Sequence, residues 1–474
     1  VTYRGLRRIL FEVYFATMPL HAWTITGRGT RKKYFELKAS ETLSRAKLDE
    51  LQLARLQTIL RHAYETSEFY KQHFDAHGVH PSEITSLNHL EKLPFLSKDN
   101  VRENLDSGLI SSAVDKSKIL KITTSGSTGR PFTIFADRDQ LEVRFASTLR
   151  ALEWTGWKFG DRQARLWHQT LGMSRTQIFR EKFDALLLRR LFIPAFEINP
   201  QNIEQFVGKI ARHDPVLVDG YAESLNFLAS YIRSGQRPGF SPRAIMSSAQ
   251  ALPENTRQVI EAGFNTQVFD KYGSREFSGI AYECTAHFGH HVVDECYIVE
   301  LLVDGRPALP GEVGEIVITD LFNRATPMIR YRIGDLAVAL DQSEPCTCGR
   351  SHARIGDIEG RTQAIVHCAD GTWLPGTFFA HFFKDQEEVI RFFQIEQNEK
   401  GSFVLLVVKN DGFTAERFET ILDDLRKYVG RTQIEVKYVD EIPLIRTGKR
   451  SPVVSNVAED FQGMTVSKQV RKQD

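Results

Sequence analysis

A chain of 474 residues has room for two or three domains. Lys and Arg number 61 against 60 Asp and Glu, a net charge of +1, which excludes a nucleic-acid binder working by bulk charge and a disordered polyelectrolyte. Hydrophobic residues make up 42%, with 32 Phe among them, ample for packed cores, while five Cys are too few for a secreted disulfide framework. With no apolar run long enough to span a bilayer, the composition predicts a soluble, cytoplasmic, globular protein.

The segment from Arg7 to Trp23 starts basic and turns apolar, the order of a signal peptide. Glu12 interrupts the run, however, and no small-residue cleavage pattern follows the break at Pro19-Leu20-His21. Two readings remain: a helix packed on the protein's own body, or one lying on a membrane surface. Between Leu51 and Tyr64, Leu53, Leu56, Leu60, Ala63 and Tyr64 recur at helical spacing and predict an amphipathic scaffold helix.

After Pro94 short β-rich runs alternate with helical stretches, which predicts an α/β body. Strands are expected at Ile119–Thr124, Phe132–Phe135, Pro215–Val218, Val268–Asp270, Tyr297–Val303 and Glu315–Thr319, and helices at Asp139–Glu153 and Glu223–Ser234. The Gly- and Pro-rich Gly305–Gly314 is expected to connect a hairpin. Beyond Arg361 the rhythm changes. Strands at Val389–Glu396, Phe403–Val408 and Gln433–Val439 surround a helix bearing Phe418, Leu422, Leu425 and Val429 on one face. The expected division is a large α/β domain over 1–360, mainly helical over 1–78, and a small α+β domain over 361–474. From Val453 the chain is polar and aperiodic, so a loosely held tail is expected.

The most informative stretch is Lys121–Phe132, KITTSGSTGRPF. Thr123, Thr124, Ser125, Ser127 and Thr128 bring hydroxyl donors, and Gly126 and Gly129 let the backbone approach an anion. Flanking strands would make it a mobile hairpin loop around phosphate. It is not a P-loop, because the glycines are too close and no Lys-Ser or Lys-Thr follows the second. By itself it also reads as an ordinary Ser/Thr/Gly turn.

In chain order, the loop TSGSTGRP, Asp270–Glu276 (DKYGSRE), Met328–Leu336 (MIRYRIGDL), Gly360-Arg361 and Arg446–Lys449 (RTGK) resemble the motifs of the adenylate-forming superfamily. Within it the chain resembles the phenylacetate–CoA ligase-like branch, including its capsule-biosynthesis homologues, from the Leu51 helix to Lys449. The resemblance implies a large nucleotide- and substrate-binding domain and a small mobile lid. The loop from Thr124 to Gly129 would hold ATP phosphates, and Ser248 and Ala249 would lie against adenine, although Gln250 stands where the family commonly has Glu. Tyr272 and Gly273 would meet the adenine, for which an aromatic face and a side-chain-free backbone are suited, and Ser274 beside them would also contact the nucleotide. Glu276 offers the hard oxygen that Mg²⁺ prefers, and Asp335 can accept hydrogen bonds from both ribose hydroxyls, with Arg361 beside them. Lys449 would bridge the α-phosphate and the substrate carboxylate, a task suited to a point charge on a flexible stem. Gln363 replaces the family's usual Asp or Lys after the hinge.

Cys346-Thr347-Cys348 forms a tight knuckle between Pro345 and Gly349, and Cys284 precedes His287, His290 and His291. Some members of the branch carry a structural zinc at these two places, which implies a Cys₃His set using His291. Cys296 would give an all-Cys alternative, and reduced cysteines that never meet are a further one.

Trp167, His168 and Tyr221 in Val218–Glu223 are candidates to flank an acyl group, or simply core. The activity implied is ATP- and Mg²⁺-dependent adenylation of a carboxylic acid with release of pyrophosphate, then transfer to a thiol, coenzyme A. Rivals are the same adenylation with an amine acceptor, AMP transfer to an acceptor, or a non-catalytic nucleotide-binding homologue. Glu276, Asp335 and Lys449 together speak against the last. No nucleic-acid partner is expected.

Overall fold

The computed structural model describes residues 5–21, 25–124, 132–167, 175–199, 201–235, 240–250, 252–359, 365–383, 386, 388–442 and 452–457. Four helices come first: α1 (Leu6–His21), α2 (Gly27–Ser40), α3 (Arg45–Thr66) and α4 (Glu68–Ala76). Phe11, Tyr14, Phe15 and Met18 turn α1 onto the body of the protein, while Leu6, Ile9, Val13 and Leu20 face outward. The expected break at Pro19 does not occur, and α1 runs on to His21. Pro19 cannot donate to the carbonyl of Phe15. Gly27 of α2 closes on that carbonyl instead, so tightly that any Cβ would collide with it. Among the described residues, no helix is long and apolar enough to cross a membrane.

After α5 (Lys98–Asn104), β1 (Leu120–Thr124) and β2 (Phe132–Ala136) form an antiparallel hairpin in which Thr124 faces Phe132. Helix α6 (Arg138–Leu152) follows, capped by Asp137, which accepts from the Gln140 amide. The chain then alternates through β3 (Gln163–Trp167), α7 (Arg175–Leu187), β4 (Arg190–Pro194), α8 (Ile203–His213), β5 (Leu217–Tyr221), α9 (Ala222–Arg233), β6 (Ala244–Ser248), α10 (Glu254–Phe264) and β7 (Val268–Ser274). These strands run parallel in the order β4-β3-β5-β6-β7. Helical crossovers cover such a sheet, and β5 and β6 are accordingly buried along their whole length. The strand expected from Pro215 starts at Leu217, because proline has no amide to give to the ladder.

The antiparallel half comprises β8 (Ser278–Glu283), β9 (His290–Val292), β10 (Tyr297–Val303), β11 (Arg306–Pro307), β12 (Val313–Asp320), β13 (Tyr331–Ala339) and β14 (Arg354–Glu359). Of the fourteen strands named so far, all but β1 and β2 join one twelve-stranded sheet, ordered β11-β10-β12-β13-β14-β9-β8-β7-β6-β5-β3-β4. The Gly305–Gly314 connection does join two antiparallel strands, β10 and β12. The expected α/β class is thus observed, with a separate smaller sheet towards the carboxyl end. There Gln433–Tyr438, Ser402–Lys409, Ile390–Gln397 and Val453–Ser455 lie side by side against the helix Ala415–Val429. The loose tail expected from Val453 is corrected at its start. Val453–Ser455 pairs parallel with Ile395–Gln397, and Val453 is buried in the core of this unit.

A buried polar network fastens the helices to the antiparallel strands. Arg150 on α6 is fully buried and meets Glu295, between β9 and β10, at 2.5 and 3.2 Å. Ser40 donates to the same carboxylate at 2.5 Å and His352 lies 3.1 Å from it. Burial opposes charge on Glu295, but Arg150 and His352 outweigh it and hold the carboxyl well below the usual range. Glu295→Ala should therefore cost about 3–5 kcal/mol in urea unfolding, because it strands a buried guanidinium. Arg150→Met combined with Glu295→Leu should recover much of that loss, since no charge is then left buried.

Candidate active site and metal centre

In a parallel sheet with helical crossovers, ligands bind beyond the carboxyl ends of the strands. Here those ends bring Trp167 (β3), Tyr221 (β5), Ser248 (β6) and Ser274 (β7) to one edge. Trp167 and Tyr221 stack with ring centroids 4.5 Å apart and planes 6° from parallel. Ala249, just beyond β6, has φ +69°, a left-handed conformation that an alanine adopts only under constraint. Gln250 accepts the amide hydrogen of Glu223 at 3.1 Å and so caps the first turn of α9. The residue that departs from the family pattern is therefore used to hold a helix.

Tyr272 is buried on β7, and its hydroxyl donates to Asp335 at 3.0 Å. Asp335 lies within β13. Glu315 of β12 faces Leu336, yet Val317 faces Arg332, so β13 carries extra residues at this point. Gly334, at φ +78°, supplies the left-handed step of this bulge. Gly273 is required for a reason other than ligand approach, because a Cβ there would strike the Ser278 carbonyl. Ser274 accepts from the Phe277 amide at 3.4 Å. Glu276, 5% exposed, follows on the turn into β8, and its carbonyl accepts from Arg144 of α6 at 3.1 Å. Thr124 ends β1, at the mouth of the hairpin. Ser125, Gly126, Ser127, Thr128, Gly129, His168, Arg361, Gln363 and Lys449 lie outside the described residues.

Several charged residues at this edge escaped the sequence reading. Arg165 meets Asp219 at 3.1 Å and lies over the Trp167 ring at 4.5 Å. Lys271 stands inside the quoted DKYGSRE stretch, so a signal for it existed. Asp219 likewise lies inside the quoted Val218–Glu223 run, but its contact with Arg165 has no sequence signal, since the two meet only through the pairing of β3 with β5.

The second constellation is a thiol and imidazole cluster. Cys284 follows β8, His291 lies on β9, and Cys346 and Cys348 precede β14; β8, β9 and β14 are neighbours. The sulfurs of Cys284 and Cys346 are 3.6 Å apart, Cys348 lies 3.3 Å from Nε2 of His291, and all four ligand atoms fall within 4.8 Å of one another. Hydrogen bonding between the thiols pushes Cys284 up and Cys348 down, so the group readily shares negative charge. A tetrahedral zinc with bonds of about 2.0–2.3 Å needs ligand edges of about 3.3–3.8 Å; the 3.6 and 3.3 Å separations fall in that range, and the donor set of three thiols and one imidazole suits zinc. Nδ1 of His291 points at the His352 carbonyl at 3.3 Å, which leaves Nε2 for a metal. His290 instead meets Asp270 at 3.0 Å, His287 meets Glu283 at 3.3 Å, and Cys296 is buried outside the cluster.

Residues 367–456 match the family model of the CapK C-terminal domain. Protein CapK of Staphylococcus aureus is 24% identical over 91% of this chain and 94% of its own length. Phenylacetate-coenzyme A ligase of Escherichia coli (strain K12) is 28% identical over 79% of this chain and 84% of its own. The enzyme of the same name from Thermus thermophilus is 29% identical over 69% and 73%. Among solved structures, a 2-hydroxyisobutyryl-CoA ligase in its thioesterification state superposes with a TM-score of 0.61 at 21% identity, covering 88% of this chain and 91% of that one. Fold and relatives together define an AMP-forming ligase. Over most of its length the chain is similar to the phenylacetate-coenzyme A ligases and to protein CapK, which supports a phenylacetate–CoA ligase-like family of adenylate-forming enzymes.

Proposed function

We propose that the enzyme joins ATP to a carboxylic acid as an acyl-adenylate and then passes the acyl group to the thiol of coenzyme A. The observation that carries this reading is the Tyr272–Asp335 contact of 3.0 Å between β7 and β13, with Glu276 buried on the turn that follows β7. In the first step a carboxylate oxygen of the substrate attacks the α-phosphorus, and the bond to the bridging oxygen breaks with departure of pyrophosphate. Tyr272, Ser248 and Ala249 hold adenine, Asp335 and Arg361 the ribose, and the hydroxyls and amides from Thr124 to Gly129 the phosphates. Mg²⁺, held by Glu276, would neutralise phosphate charge. Lys449 sits between the α-phosphate and the carboxylate and draws the two anions together. The segment from 361 acts as a lid whose reorientation admits the thiol, and the sulfur then displaces AMP from the acyl carbon. The coenzyme A acceptor is supported by the relatives named phenylacetate-coenzyme A ligase. Cys284, His291, Cys346 and Cys348 hold a structural zinc away from the chemistry.

Carboxylate-dependent exchange of labelled pyrophosphate into ATP tests the first step without knowledge of the acceptor. Glu276→Gln and Asp335→Ala should each lower exchange by about 10²-fold. Turnover of ATP to ADP without exchange, across a broad acid panel, would refute adenylation.

A further inference from the structure

Lys271 lies within β7, immediately before Tyr272, in a cross-strand row that begins with the candidate acyl-pocket aromatics. Trp167 stacks on Tyr221, Tyr221 is in register with Ser248, and Ser248 is in register with Lys271. The lysine is half-buried and no described residue hydrogen-bonds or ion-pairs with its ammonium; its near neighbour is the Tyr282 ring, 5.6 Å from centroid to Nζ. The carboxylate within electrostatic reach, Asp219, is already committed. It pairs with Arg165 at 3.1 Å and accepts from the Gln163 amide at 2.6 Å. Arg144 brings a second cation towards the same edge, and its guanidinium is spent on the carbonyls of Arg275 and Glu276 at 2.7 and 3.1 Å. Burial and the nearby Arg165 guanidinium push the Lys271 ammonium down to about 8. A partly buried cation without a counter-ion gains most from a ligand that brings one.

We infer that the acyl pocket takes a carboxylic acid bearing a second anionic group, which Lys271 holds at the end away from the carboxylate that is adenylated. The inference rests on the adenylation reading and adds the class of acid. In the pairing itself no bond is made or broken: the ammonium donates hydrogen bonds to the distal carboxylate, sulfonate or phosphate of the substrate. An acid with a wholly apolar tail would shut the pocket over an unpaired charge, so Lys271 discriminates against it as well as for the dianion.

Pyrophosphate exchange with matched acids tests this: adipate against hexanoate, and 4-carboxyphenylacetate against phenylacetate, with the wild-type enzyme and Lys271→Met. The wild type should favour the diacid of at least one pair by on the order of 100-fold in kcat/KM, and Lys271→Met should reduce that preference to within about 3-fold. ATP affinity, measured by calorimetry, should not change, which separates a local effect from misfolding. Preference for the monoacids by the wild type would overturn the inference. So would an equal loss for both members of a pair, which would mean that Lys271 grips the reacting carboxylate. No exchange with any acid of a broad panel would instead overturn the adenylation reading beneath it.

Discussion

Lys449→Ala is expected to lower adenylate formation by about 10²–10³-fold while leaving most of the thioester step intact when preformed acyl-adenylate is supplied. The reason is electrostatic and confined to the first half-reaction. Bringing a carboxylate up to the α-phosphate juxtaposes two anions, and a positioned ammonium offsets that repulsion only while the bond between them forms. Once AMP is the leaving group and a thiol the nucleophile, the demand disappears. The residue comes from the resemblance of the RTGK loop alone, so the two half-reactions must be measured separately, by exchange and by single-turnover thioester formation. Equal loss in both would make Lys449 structural.

Removing the metal should be the largest single insult to stability. Elemental analysis should find about one zinc per chain. Extraction by a strong chelator, or Cys346→Ser, should lower the melting temperature by on the order of 10 °C, because structural zinc contributes directly to folding. The effect should spread beyond the knuckle. Arg350 pairs with Glu41 at the end of α2 at 2.6 Å and lies 4.4 Å from the Trp154 ring centroid, while His352 reaches Glu295. The loop that bears two of the ligands is thus also the clasp holding the first helices. Adenylation should suffer less than stability at 25 °C, since none of the four ligands belongs to the nucleotide site. A metal-free protein with an unchanged melting temperature would exclude the centre.

What the sequence disclosed follows from how local each signal is. The Ala415–Val429 helix and the Tyr297–Val303 strand were legible because periodicity writes burial directly into neighbouring residues. The motif residues Tyr272 and Asp335 were legible as members of a known order, but not their contact, which spans 63 positions. The metal set was legible as two loops, and the structure selects His291 over His290 and His287 by pairing β9 with β14. A short parallel strand such as β6 is not written in the sequence, since a five-residue run buried on both faces has no alternation to betray it. Lys271 was seen and passed over. Its meaning depends on which carboxylates are already taken, and that is a property of register rather than of any motif.

The order of strands also dictates when this enzyme can exist during its own synthesis. In the sheet, β9 and β13 are joined through β14, which arrives last and slots between them. Until Arg354–Glu359 has left the ribosome, the nascent chain holds two half-sheets, each with an unsatisfied edge of the kind that recruits foreign strands. Tyr272 and Asp335 lie on opposite sides of that seam. A ribosome stalled short of β14 would therefore release two sticky halves and no Tyr272–Asp335 contact, whereas insertion of six residues seals both edges and brings the tyrosine to the aspartate in one event.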